Sequence, residues 1–184
     1  MADWTDAMAL IVIDVQKGFE DEEHFGKRNN PACETNIELL LDAWRAQGWP
    51  VVFVQHDSKE AGSPLAPGSP GHALKPVVSG ECDLLVNKSV HSAFFGEPNL
   101  NAWLRSNGIG AVAICGIQTN VCCETTARMA SDIGYETLFV IDATHTFDVP
   151  IRGGFIGAEQ LSRTTAAVLH GEFAKVVRTE DLVG

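Results

Sequence analysis

The sequence predicts an α/β fold: a three-layer, doubly wound, six-stranded and mainly parallel sheet with helices on both faces, Rossmann-like in architecture. Two patterns carry that expectation. Short β-branched runs alternate with segments of helical periodicity along the whole chain. The runs are also continuously apolar rather than alternating, the mark of strands buried on both faces. With 184 residues the chain has the length of a single domain, residues 1–184, whose core is large enough to be stable without cross-links.

The first strand is read in "ALIVIDV" (9–15). A helix follows, with Ile37, Leu40, Leu41 and Trp44 at i, i+3, i+4 and i+7. Thr35 and Glu38 suit a capping box at its start, and Gly48 and Pro50 end it. "VVFVQ" (51–55) is the second strand. Residues 57–80 hold four of the eight prolines and four glycines, which predicts a long irregular loop of the kind that carries function or moves. "DLLVN" (83–87) is the third strand, and Pro98 is placed as the first residue of a helix carrying Leu100, Trp103 and Leu104. "GAVAIC" (110–115) is the fourth strand, followed by a helix from about Thr119 to Gly134. "TLFVID" (137–142) is the fifth. The last helix shows Ala158, Leu161, Thr165 and Val168 along one stripe, and "AKVV" (174–177) closes the sheet.

Thirteen basic against twenty-four acidic residues give a net charge of −11. That balance repels phosphate backbones and anionic lipid, arguing against nucleic-acid and membrane-surface partners. Five cysteines are an odd number and show neither CxxC nor CxxxxH spacing, so a disulfide framework or structural zinc site is not expected. "MADWTDAMALIVIDVQ" has no basic leader before its apolar run, and no apolar stretch approaches the ~18 residues of a membrane span. A cytoplasmic location is the expectation.

In doubly wound folds ligands bind beyond the carboxyl ends of the strands, near the switch in strand order. That directs attention to Asp14, Gln55 to Asp57, Lys88, Gly116 to Cys123, and Asp142 onward. Asp14 either caps loop amides or acts as a general base. No glycine-rich turn follows it in "DVQKGFED", so a dinucleotide site is not supported. Lys88, one residue past the third strand, is either a solvated surface residue or, if near Asp14, a partner for developing negative charge or for a thiol. Among the cysteines, Cys123 shares a stripe of small residues with Ala127, Ala130 and Gly134 and reads as core, as does Cys115 at the end of a buried strand. Cys122 lies about 100° round from Cys123, in the first helical turn, where unpaired amides and the helix dipole favour an anion. A thiol so placed can titrate anywhere between ~3.5 and ~7.5. Spacing therefore favours Cys122 as the reactive thiol. No serine-triad motif, P-loop or HExxH is present, and His56, Asp57 and His72 match no metal signature.

Three segments taken together, "IDVQKGF", "VNKSVHSAFFG" and "CGIQTNVCCETTARMASDIGYETLFVIDAT", resemble the isochorismatase-like cysteine hydrolases, the superfamily of nicotinamidase and N-carbamoylsarcosine amidohydrolase. The likeness runs from about Ala7 to Phe147. It implies hydrolysis of a C–N bond in a small amide or carbamoyl compound through a covalent acyl-enzyme. Cys122 would be the nucleophile, Asp14 the base that takes its proton, and Lys88 the charge that biases the pair. It also implies a cis peptide at Ile117–Gln118 that aims the Gln118 amide, with that of Cys122, at an oxyanion. Phe19 would be an aromatic wall of the substrate pocket, with His56 and Phe94 lining it and Phe95 a further candidate. No metal and no other cofactor are expected, because His56 and Ser58 stand where nicotinamidases have Asp-x-His. By the same likeness the chain is expected to form a homo-oligomer, a dimer or larger. Two other activities share the fold: vinyl-ether hydrolysis, which proceeds without a nucleophilic cysteine, and non-catalytic binding of a small ligand. His145 in "DATHTF" stands where relatives commonly have a small residue.

Overall fold

The strands form because each apolar run has a helix layer waiting on both sides. In the computed structural model, which describes residues 7–78 and 80–183, the chain runs β1 (Met8–Ile13), α1 (Glu22–Phe25), α2 (Cys33–Gln47), β2 (Val51–His56), β3 (Leu84–Lys88), α3 (Leu100–Ser106) and β4 (Ala111–Ile117). It continues through a five-residue π-turn (Thr119–Cys123), α4 (Glu124–Asp132), β5 (Glu136–His145), β6 (Val149–Ile151), β7 (Gly154–Ile156), α5 (Ala158–Leu169) and β8 (Lys175–Val177). Residues 1–6, where a leader was judged absent, lie outside the described residues. Among the described residues no helix is long and apolar enough to cross a membrane.

Six strands make one parallel sheet in the order β3-β2-β1-β4-β5-β8. β1 shows why its sequence is unbroken in apolarity. Met8, Leu10 and Val12 point into the layer under α2 with Ile37, Leu40, Leu41 and Trp44. Ala9, Ile11 and Ile13 point the other way, against Leu100 and Leu104 of α3, Cys123 of the π-turn and Ala127 and Ala130 of α4. Burying a branched side chain on each face stabilises by roughly 1.5–3 kcal/mol per residue, and a central strand collects that gain at every position. Trp44 anchors α2 by donating from its indole to the Met8 carbonyl at 2.8 Å, and Gly48 ends that helix in the left-handed region at φ 65°.

Several sequence expectations shift. α2 starts at Cys33 with Ala32 as its N-cap, so Thr35 lies inside the helix and the capping box with Glu38 is not formed. Pro98 is not the first residue of α3. It follows a cis Glu97–Pro98 peptide and precedes Asn99, whose side chain caps the Ala102 amide at 2.8 Å. Lys88 is the last residue of β3 rather than one beyond it. The buried stripe of α5 is Ala158, Ser162, Thr165 and Leu169, with Val168 exposed. The expected stripe of Leu161 and Val168 was off by one residue, because this helix packs a partly polar face on its neighbours. β5 runs three residues past the expected end, to His145, through a register shift opposite Ile114 and Gly116. The exposed β6–β7 hairpin was not foreseen.

Candidate active site

The order of strands reverses between β1 and β4, so their carboxyl ends frame the crevice of the sheet. Neighbouring strand ends there supply consecutive side chains: Lys88 from β3, His56 from β2, Asp14 just past β1, and the turn to Cys122 after β4. Asp14 leaves the strand at φ +52°, in the left-handed region that costs a non-glycine residue of order 1 kcal/mol or more. Its amide still donates to the Val54 carbonyl at 2.9 Å, so the turn is tied to β2 while the side chain swings into the crevice. Opposite it, Gly116 has φ +122°, and a Cβ there would collide with the Ile13 carbonyl. Only glycine lets β4 pass this close to β1, and the Ile117–Gln118 peptide one residue further on is cis.

Lys88 is the hub. Its ammonium donates to Asp14 Oδ2 at 2.6 Å, to Cys122 Sγ at 3.4 Å and to His56 Nδ1 at 3.2 Å. All three N–H donors are thereby used. The Lys88 and Asp14 side chains are both 0 % exposed. Such a pair persists because each charge offsets the desolvation of the other, and removing one partner strands the second. Burial would lower the Lys88 pKa, but Asp14 and Cys122 outweigh it and hold the amine protonated. His56 is pushed the other way, by burial and then by the Lys88 charge, so its imidazole is held neutral with Nδ1 as the acceptor.

The thiol departs from the expectation for a helix N-terminus. Burial, at 7 % exposure, and the Asp14 carboxylate push the Cys122 pKa up, with Lys88 opposing. The first turn is π-wound rather than α-helical, and its Gln118 carbonyl is taken by the Val121 and Cys123 amides at 3.1 and 3.2 Å. Cys122 therefore rests as a protonated thiol, and its activation needs a base. Asp14 Oδ1 accepts no hydrogen bond among the described residues. A carboxylate oxygen of Asp14, a ring nitrogen of His56 and Cys122 Sγ all lie within 4.8 Å of one another. Those three could ligate a metal ion, but the Lys88 ammonium already donates to all three residues and holds the place a cation would take. The rest of the β2 end is occupied internally: His72 Nε2 meets Asp57 at 2.7 Å, and Gln16 bridges the His56 and His72 carbonyls.

The other expected residues fall around this centre. Cys115 and Cys123 are fully buried, on opposite faces of the sheet. Phe19 is buried and packs on Phe25 and Phe147, with ring centroids 4.7 and 6.0 Å away. Phe94 is buried with its ring stacked on Tyr135, while Phe95 is exposed. Four contributors escaped the sequence reading. Thr144 and Thr146 of the β5 end hold the π-turn, through Thr119 at 2.8 Å and through Asn120. Gln16 ties the Asp14 turn to β2, accepting from the His56 amide at 2.9 Å. His91, on the loop after β3, brings Nδ1 to 3.9 Å from Cys122 Sγ. A histidine in "NKSVHSAFF" had a signal only in its distance of three residues from Lys88.

With this geometry in place, similarity to known proteins settles the family. The isochorismatase domain matches residues 8–181. This chain belongs to the isochorismatase family. The isochorismatase family protein YrdC of Bacillus subtilis (strain 168) is 37% identical over 177 residues, covering 95% of this chain and 94% of that protein. Nicotinamidase 3 of Arabidopsis thaliana is 30% identical over 188 residues, covering 95% and 86%. A crystal structure of an isochorismatase-family protein from Chromobacterium violaceum ATCC 12472 superposes with a TM-score of 0.92 at 34% identity, covering 100% of this chain and 95% of that one. The chain is a hydrolase of this family.

Proposed function

We propose that this hydrolase cleaves the C–N bond of a small amide or carbamoyl compound through a thioester on Cys122. The observation that carries the reading is the buried Lys88 ammonium, which links a protonated thiol to a carboxylate with one oxygen open. Asp14 takes the thiol proton as the sulfur attacks the carbonyl carbon. Lys88 keeps the sulfur's developing negative charge compensated at 3.4 Å. The carbonyl oxygen becomes the oxyanion, received by the backbone amides of Gln118 and Cys122. When the tetrahedral adduct collapses, the C–N bond breaks and the departing amine takes the proton held by Asp14. Water then hydrolyses the thioester and restores the thiol. Phe19, His56 and Phe94 are proposed to line the substrate pocket. The kinship with a nicotinamidase favours an amide over the vinyl ether of isochorismatases proper.

The five free thiols suit a reducing compartment, so we place the enzyme in the cytoplasm, as a homo-oligomer acting on a small molecule. An ammonia-release screen over small primary amides, ureas and carbamoyl amino acids is expected to find turnover. Acid quench during turnover should leave Cys122 carrying the acyl mass. Ammonia release that persists in Cys122→Ala would end the covalent reading.

A further inference from the structure

We propose that His91 is a second catalytic base, which activates the water that hydrolyses the thioester. The inference rests on the acyl-enzyme reading above and adds a division of labour to it. The loop bearing His91 is tied down directly over the nucleophile: the Ala93 amide donates to Thr126 Oγ1 at 3.1 Å, and Thr126 lies one helical turn beyond Cys122. Ser92 stiffens the same loop by accepting from the Phe94 amide at 3.3 Å. His91 itself is exposed, so its imidazole stands on the solvent side of the sulfur. Asp14 and Lys88 stand on the inner side, without solvent access.

The two halves of the cycle need bases in different places. Acylation removes a proton from the buried thiol, which the inner carboxylate can reach. Deacylation removes a proton from a water that arrives from solvent, at a carbon bonded to Sγ. An imidazole nitrogen 3.9 Å from that sulfur is within reach of such a water. As the water oxygen bonds to the thioester carbon, His91 takes one of its protons. As the C–S bond breaks, His91 returns that proton to sulfur, so the acid leaves and the thiol is restored with no net proton change. His56 is the other imidazole close by, but its Nδ1 is engaged by Lys88. The ionisable groups facing His91 are Cys122 on the π-turn and His56 at the end of β2, with Lys88 and Asp14 behind them.

Stopped-flow hydrolysis of p-nitrophenyl acetate tests this, because the phenolate departs without an acid and isolates the second step. The full-length enzyme is expected to release a burst of phenolate and then turn over slowly. His91→Gln should keep the burst and its melting temperature, lose roughly 10²-fold in the slow phase, and flatten that phase's pH dependence. In His91→Ala, added imidazole should restore the slow phase without altering the burst. An unchanged slow phase in His91→Gln would overturn the proposal, as would loss of burst and slow phase together. If the unmodified enzyme shows neither a burst nor an acetylated Cys122 after acid quench, the acyl-enzyme reading itself fails.

Discussion

Two ionic clusters, one partly and one fully buried, treat their carboxylates differently. In one, Glu34 of α2 accepts from Arg28 at 2.7 and 2.8 Å and from Lys75 at 2.7 Å. Burial would raise its pKa, but these cations outweigh it and bring the carboxyl to about 2. Both oxygens are committed, and His145, 4.0 Å from that carboxylate, stays neutral because burial and Arg28 lower its pKa to about 3. In the other, Asp14 accepts from one cation on one oxygen and leaves Oδ1 open beside a protonated thiol. A carboxylate saturated by cations is a clamp. One with an open oxygen and a proton donor beside it can do work.

That contrast can be broken in four ways, from the largest expected effect down. Cys122→Ala should lower turnover by on the order of 10³-fold or more, while Cys115→Ala and Cys123→Ala keep most activity in the same ammonia-release assay. Asp14→Asn, which keeps the shape but not the charge, should cost on the order of 10²–10⁴ in kcat. Glu34→Gln should do the opposite, leaving kcat within a few-fold but lowering stability by about 1–3 kcal/mol in urea titration. Equal loss of activity in both carboxylate variants would erase the distinction between the clusters.

The smallest effect concerns pH. His145 titrates near 3 in the fold against 6.5 ordinarily, so below 6.5 the unfolded chain binds a proton that the folded chain refuses. Its neutral form imposes no penalty above that pH. As pH falls from 6.5 toward 3, stability should drop by up to about 1.4 kcal/mol per pH unit on this account. His145→Leu should flatten that slope in denaturation series between pH 7 and 4.5, above the range where Glu34 begins to take up its proton. A slope that survives the substitution would assign the acid sensitivity elsewhere.

The strand–helix alternation and the doubly buried strands were legible in the chain because a central parallel strand must be apolar on both sides. Asp14 and Lys88 drew attention as polar residues at the ends of strands, Cys122 by its place in the turn after the fourth strand, and the family resemblance joined the three. Helix starts were less legible. Ala32 rather than Thr35 caps α2, and Asn99 caps the helix that Pro98 was expected to open. Thiol chemistry was misread from local position: the helix end argued for a low pKa, and burial with Asp14 raised it.

By itself the sequence determined the layers, the sheet and the strand ends where a site is to be sought, since periodicity and apolarity are properties of local runs. The tertiary structure alone decided which side chains meet. Asp14 and Lys88 are 74 positions apart, and Lys88 and Cys122 are 34 apart. His91 comes within 3.9 Å of the sulfur on a loop whose Ala93 amide is tied to Thr126, 33 positions on. Such distances are set by strand order and loop anchoring, so protonation states, which depend on neighbours and burial, became readable only once the chain was folded.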